Sequence, residues 1–240
     1  MTPLGDLTAA LMLLTRLPVP GAHPARAAGV WAYPIVGVVV GLVGAVVYWL
    51  AVRLGLPPPM AAICAVAGTV LTTGALHEDG LADTADGFGG GATVARKLEI
   101  MRDSRIGTFG ALALILSVGL RIVALASLAY PAAIAIALVA AGVLGRGAMI
   151  GVMLALPAAR ADGMAAALGP LPPIPAAIGL AIACACVLLP HGVRAVVAAG
   201  LAGALMIWLA RRQVGGHTGD VLGATEQAAE CAVLIAMVMR

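Results

Sequence analysis

Three aspartates, Asp79, Asp83 and Asp86, stand at i, i+4 and i+7 in the run His77-Glu78-Asp79-Gly80-Leu81-Ala82-Asp83-Thr84-Ala85-Asp86-Gly87. At about 100° per residue, that spacing puts three carboxylates within roughly 60° of one helix face. The run has no basic residue to neutralise them. They repel unless a cation lies between them, and hard carboxylate oxygens suit Mg²⁺ or Mn²⁺. The plainer alternative is a solvated helix face at a membrane surface. His77 is either a general base or a hydrogen-bond donor behind the metal.

Basic groups follow at once. After the glycines Gly87, Gly89, Gly90 and Gly91, read as a flexible turn, come Arg96-Lys97 and then Arg102-Asp103-Ser104-Arg105. Metal ions beside guanidinium forks are what a diphosphate needs, because both neutralise and orient its oxygens. Arg102 and Arg105 could instead only anchor the next apolar segment. A second polar patch, Arg211 to Asp220, holds Gly215, Gly216, His217 and Thr218. Glycine-rich backbone opening a helix is a ready anion site. Asp220 there is a further metal ligand or a helix cap. Arg160, near Gly163, is another basic candidate.

The remainder of the chain must position these groups, and it is almost entirely apolar. Of 240 residues 62% are hydrophobic and 10% charged, against roughly 25% charged in a soluble domain. A soluble globule and a disordered chain are both excluded. Unbroken apolar runs exclude a membrane barrel, which alternates. The net charge of +3 is too small to suggest nucleic acid as a partner. The expected architecture is all-α, a polytopic integral membrane bundle forming a single domain over 1–240. About seven transmembrane helices (six to eight) are expected, at 30–51, 60–76, 107–130, 132–156, 174–189, 195–210 and 221–239. Segment 4–17 is too short to span and reads as an interfacial helix. Asp6 is the only charge ahead of the apolar stretch 7–14, so no cleavable signal is expected.

An N-terminus on the cytoplasmic side leaves only Arg53, Arg194 and Arg240 outside and nine basic residues inside, as the positive-inside rule prefers. Every complex polar loop then shares the cytoplasmic side, including the acidic and basic segment 77–106. Four ionisable residues fall inside spans: Arg121, Arg146, Glu226 and Glu230. Such residues are costly and face a partner or a cavity. Similar depth suggests that Arg146 faces Glu230, as a structural ion pair or in a substrate cavity.

The runs HEDGLADTADGFGGG and RKLEIMRDSRIGTFG resemble the cobalamin synthase family, the adenosylcobinamide-GDP ribazoletransferases. So do Thr15-Arg16-Leu17-Pro18-Val19-Pro20, Gly145-Arg146, Ala159-Arg160, Gly215 to Asp220, and the pair Glu226 and Glu230. The resemblance implies a membrane enzyme joining α-ribazole, or its 5′-phosphate, to adenosylcobinamide-GDP, with GMP released and Mg²⁺ required. It implies Asp79, Asp83 and Asp86 as metal ligands, completed by Asp103 or Asp220, and a hydroxyl proton taken by His77 or a carboxylate. Arg16, Arg102, Ser104, Arg105, Arg146, Arg160, Gly216, His217, Thr218, Glu226 and Glu230 are the substrate-binding candidates. The implied setting is a bacterial inner membrane, with the active site on its cytoplasmic face. The implied partners are small-molecule substrates and lipid, with a homo-oligomer or other cobalamin-assembly enzymes besides.

Two other classes compete. A CDP-alcohol phosphotransferase also starts D-x-x-D-G, as Asp83 to Gly87 does, but Gly91, Ala95 and Glu99 do not supply its downstream aspartates. A transporter would show repeated halves with broken helices, and no repeat is evident.

Overall fold

The computed structural model describes residues 2–20, 26–128 and 130–239. Arg240, counted above among the outer basic residues, lies outside them. The chain forms α1 (Pro3–Leu14), α2 (Tyr33–Arg53), α3 (Pro58–Thr73), α4 (Leu76–Gly90), α5 (Val94–Ile100) and α6 (Thr108–Ala126). It continues through α7 (Pro131–Ala155), α8 (Met164–Leu168), α9 (Pro173–Cys184), α10 (Gly192–Gln213) and α11 (Gly219–Val238), with 3-10 turns at Ala27–Ala32 and Ala185–Leu188. Among the described residues the only extended pairing is an isolated parallel bridge between Ala158 and His217.

The all-helical expectation holds. Segment Ala27–Arg53 and helices α6, α7, α10 and α11 are long and apolar enough to cross a bilayer, and α3 with α4 makes a sixth only as a pair bent by 89°. The expected span at 60–76 stops at Thr73, where Gly74 and Ala75 both take left-handed φ, +67° and +60°. Two such residues in succession turn the chain, and Ala75 does so against its Cβ. The expected span at 174–189 is α9 plus a 3-10 turn, 12 and 4 residues. That is roughly 26 Å of rise, against about 30 Å of hydrocarbon.

Small residues let the helices approach. Gly37 and Gly41 of α2, four apart, lie on the α7 backbone at Gly142 and at Leu138–Val139, where a Cβ would overlap main-chain atoms. In lipid, this close contact supplies the packing that water expulsion supplies elsewhere. Helices α7 and α11 are enclosed by the others, whereas α6 and α10 turn most of their surface outward. The glycines expected as a flexible turn are instead mostly helical. Helix α4 runs on to Gly90, and Gly87 and Gly89 leave room for Met101 and for the Phe109 ring.

The polar residues gather at one end of the bundle. Beyond α7, the bridge ties Ala159 N and Pro157 O to His217, each at 2.8 Å. Helix α10 finishes where Lys97 Nζ donates to Gln213 Oε1. At the other end, Arg194 Nη1 donates to Met239 O at 2.9 Å. Helices α7 and α10 therefore finish at the same end, and α9 returns the chain between them.

Candidate active site

Helices α4 and α11 cross at Gly80 and Gly223. A Cβ on Gly223 would lie 3.2 Å from the Cα atoms of Gly80 and His77, and one on Gly80 would meet the Asp220 main-chain oxygen at 2.7 Å. This crossing sets Asp79 and Asp83 of α4 beside Asp220 in the first turn of α11. Above it opens a cavity of about 230 Å³, with apolar walls that include Leu13, Leu14, Met149 and Leu168. Its polar groups include His77, Asp79, Arg160 and Asp220. Asp83, one turn along α4, sits in the combined field of Asp79, Asp220 and Asp86, with Arg160 as the counter-charge.

Asp220 accepts from Arg160 Nη2 at 3.2 Å and from Thr218 Oγ1 at 3.1 Å. Thr218 itself caps α11, its hydroxyl accepting from Val221 N. Of the two sequence readings of Asp220, the helix cap therefore falls to Thr218. Arg160 Nη1 is buried without a hydrogen-bond partner. A guanidinium with a free nitrogen beside exposed and half-buried carboxylates is suited to an anion that arrives with its own cation. Asp79, Asp83 and Asp220 offer only hard oxygen donors, which fit Mg²⁺ in kind. Among the described residues, no three His, Cys, Asp or Glu side chains already converge on one point.

The structure places the other candidates elsewhere. Asp86 lies on the same helix face by spacing, but it is buried and caps α6, accepting from Gly107 N at 2.7 Å and Gly110 N at 2.9 Å. Two backbone amides thus hold the third aspartate of the motif. Asp103 is bound by Arg105, through Nε at 3.0 Å and Nη2 at 2.6 Å. Those hydrogen bonds hold its carboxyl down at about 2. Arg102 makes an exposed pair with Asp162 at 2.5 Å. Ser104 is exposed on the same loop. Neither Arg102 nor Arg105 is among the residues lining the cavity. Arg16 is exposed and lies along the α3–α4 bend, its side chain against Gly74 and its amide donating to Thr72 O at 2.7 Å. Gly216 packs on Pro157 and Ala159. His217 is buried and lines a second cavity; burial lowers its imidazole pKa.

Beneath the main cavity is a buried ionic network. Arg121 binds Glu230 at 3.1 Å and Glu78 at 2.9 Å, and Arg146 binds Glu226 at 2.9 Å. The expected Arg146–Glu230 pair is thus corrected. Glu226 and Glu230 are one turn apart, and a different arginine meets each. Glu226 also accepts from Gln227 Nε2 at 3.0 Å and lies 3.7 Å from His77 Nδ1. Burying such charges is tolerable only when they are paired and hydrogen-bonded. The space among them is about 10 Å³, room for about one water. Arg146, Glu226 and Glu230 therefore support the floor under His77 and do not line the cavity. The Arg121–Glu78 pair is not evident from local spacing; its one signal in the sequence is a lone arginine mid-span, which requires a carboxylate.

A family model described as cobalamin-5-phosphate synthase matches residues 6–238. The adenosylcobinamide-GDP ribazoletransferase of Bradyrhizobium diazoefficiens is 49% identical over 240 residues, covering 97% of this chain and 92% of that protein. The enzyme of the same name from Mesorhizobium japonicum is 45% identical over 239 residues, again covering 97% and 92%. No solved structure matches the chain significantly.

Proposed function

We propose that this chain, which belongs to the cobalamin-5-phosphate synthase family, carries out its transfer in the cavity between α1, α4, α7 and α11. The reaction is ribazole transfer, as the relatives' names state. α-Ribazole, or its 5′-phosphate, is joined to adenosylcobinamide-GDP to give adenosylcobalamin, or its 5′-phosphate, and GMP. The ribazole 3′-oxygen bonds to the phosphorus nearest cobinamide, the diphosphate bridge breaks, and GMP leaves with the bridging oxygen. The observation that carries the site assignment is Arg160. Its Nη2 holds Asp220, its Nη1 is buried without a partner, and it lines the cavity together with Asp79 of the acidic motif.

Mg²⁺, held by Asp79, Asp83 and Asp220, would neutralise the diphosphate oxygens and ease departure of the leaving group. Arg160 would fork onto the same diphosphate. His77 or one of the carboxylates would take the hydroxyl proton. The lipid-phosphotransferase alternative lacks its downstream aspartates, and the family match favours ribazole transfer.

The same end of the bundle holds Lys97, Arg102, Arg105, Arg160, Arg211 and Arg212, which supports a cytoplasmic site in the inner membrane and an inward N-terminus. The return path of α9 supports seven crossings, of which those through α3 and α9 are short.

Protein purified in detergent and given adenosylcobinamide-GDP, α-ribazole and Mg²⁺ should yield cobalamin and GMP. Chelation by EDTA should stop the reaction, and added Mg²⁺ should restore it. Asp83→Asn should lower turnover by roughly a hundredfold or more, with an unchanged thermal melt. Full activity in Asp83→Asn would remove the metal assignment, and no product from folded wild-type protein would remove the activity.

A further inference from the structure

We propose that the second cavity, beside His217, holds the flat heteroaromatic base of the nucleoside acceptor. The inference rests on the ribazole-transfer reading and adds a site to it. The cavity measures about 530 Å³, and its walls include Met153, Leu156, Pro157, Ala166 and Leu171, with His217 among them. Its described lining has no Asp, Glu, Lys or Arg. A phosphate would find no counter-charge there, whereas an uncharged fused ring would find apolar surface on several sides.

His217 supplies the one directional group. It is 6% exposed, and its Nδ1 has no hydrogen-bond partner. Leaving a buried ring nitrogen unmet is costly, so a ligand group that reaches it gains a hydrogen bond. The ring is also held in place. Its backbone N–H donates to Pro157 O, and its carbonyl accepts from Ala159 N, both at 2.8 Å. Burial favours the neutral imidazole, which offers one N–H donor and one acceptor. The unsubstituted nitrogen of a benzimidazole nucleoside is an acceptor that such an N–H can meet.

One segment walls both cavities: Arg160 and Leu168 line the first, and Ala158, Ala166 and Gly169 line the second. A transfer between two substrates needs a charged site for the diphosphate and a separate site for the acceptor. These cavities divide in that way, and the segment that carries Arg160 contributes residues to both.

The test uses the full-length protein in detergent. Ala166→Phe fills the cavity from a half-buried position and leaves the Ala158–His217 bridge intact, while His217→Phe removes the donor. Each should raise KM for α-ribazole by roughly tenfold or more and hold KM for adenosylcobinamide-GDP within about twofold. His217→Gln, which keeps an N–H, should recover part of the loss. Titration calorimetry with α-ribazole alone should show binding to wild type and to Asp83→Asn, with weaker binding to Ala166→Phe. An unchanged ribazole KM in folded Ala166→Phe, with wild-type turnover intact, would overturn this inference alone. A rise confined to the adenosylcobinamide-GDP KM would overturn it too, by giving the cavity to the corrinoid. Failure of wild type to form cobalamin would instead sink the transfer reading and this inference with it.

Discussion

Arg160 directs one guanidinium nitrogen at Asp220 and leaves another buried and unpaired. Arg102 and Arg105, the more conspicuous arginines in the sequence, are occupied by Asp162 and Asp103 in the open. This difference makes Arg160 the side chain on which diphosphate affinity should depend. Charge-assisted hydrogen bonds contribute about 1.5–3 kcal/mol. Arg160→Ala should therefore cut kcat/KM for adenosylcobinamide-GDP by roughly 10- to 100-fold, measured by steady-state kinetics. Arg160→Lys should recover only part, because an ammonium is a point charge without a fork. The aspartates show how far spacing reads at this scale. Asp79, Asp83 and Asp86 share one helix face, as their intervals require. Which of them faces the cavity depends on Gly107 and Gly110, whose amides claim Asp86 from more than 20 residues away.

Among the elements, α4 carries the acidic motif and is constrained at its start, middle and end. It begins after the left-handed pair Gly74 and Ala75, crosses α11 at Gly80 and Gly223, and ends on α6 through Asp86. The crossing leaves no room for a methyl group. Gly80→Ala should therefore separate α4 from α11, with an overpacking cost of about 1–3 kcal/mol. A thermal melt in detergent should show a fall of roughly 3–10 °C, together with reduced turnover. Gly200→Ala, on an open face of α10 where a Cβ meets nothing within 4 Å, should leave both unchanged. Apolar length located most of the helices. The α3–α4 break escaped it, since Leu76 prolongs the apolar run past a bend that is set by backbone torsions.

For the whole molecule, the partition of charge between two ends makes a topological claim. Ser104 belongs to the end with the cavity, and Pro190, between α9 and α10, to the other. In a background with the four cysteines replaced by serine, Ser104→Cys should react with a membrane-impermeant maleimide only in inside-out vesicles. Pro190→Cys should react only from the outer face of intact cells. The reversed pattern would overturn the inward N-terminus proposed from the basic residues.

The sequence by itself determined the class of the molecule. An apolar excess can be buried only in lipid, and scarce charges concentrated in one segment point to where the proposed site should be sought. It also determined the acidic motif, because helical periodicity is local. Tertiary structure decided the partners: Arg121 with Glu78 and Glu230, Arg146 with Glu226, Asp86 with α6, and Arg160 with Asp220. Those pairs join residues 21 to 109 positions apart. Their choice depends on which small residues let two helices touch and at what angle, and no local spacing encodes that.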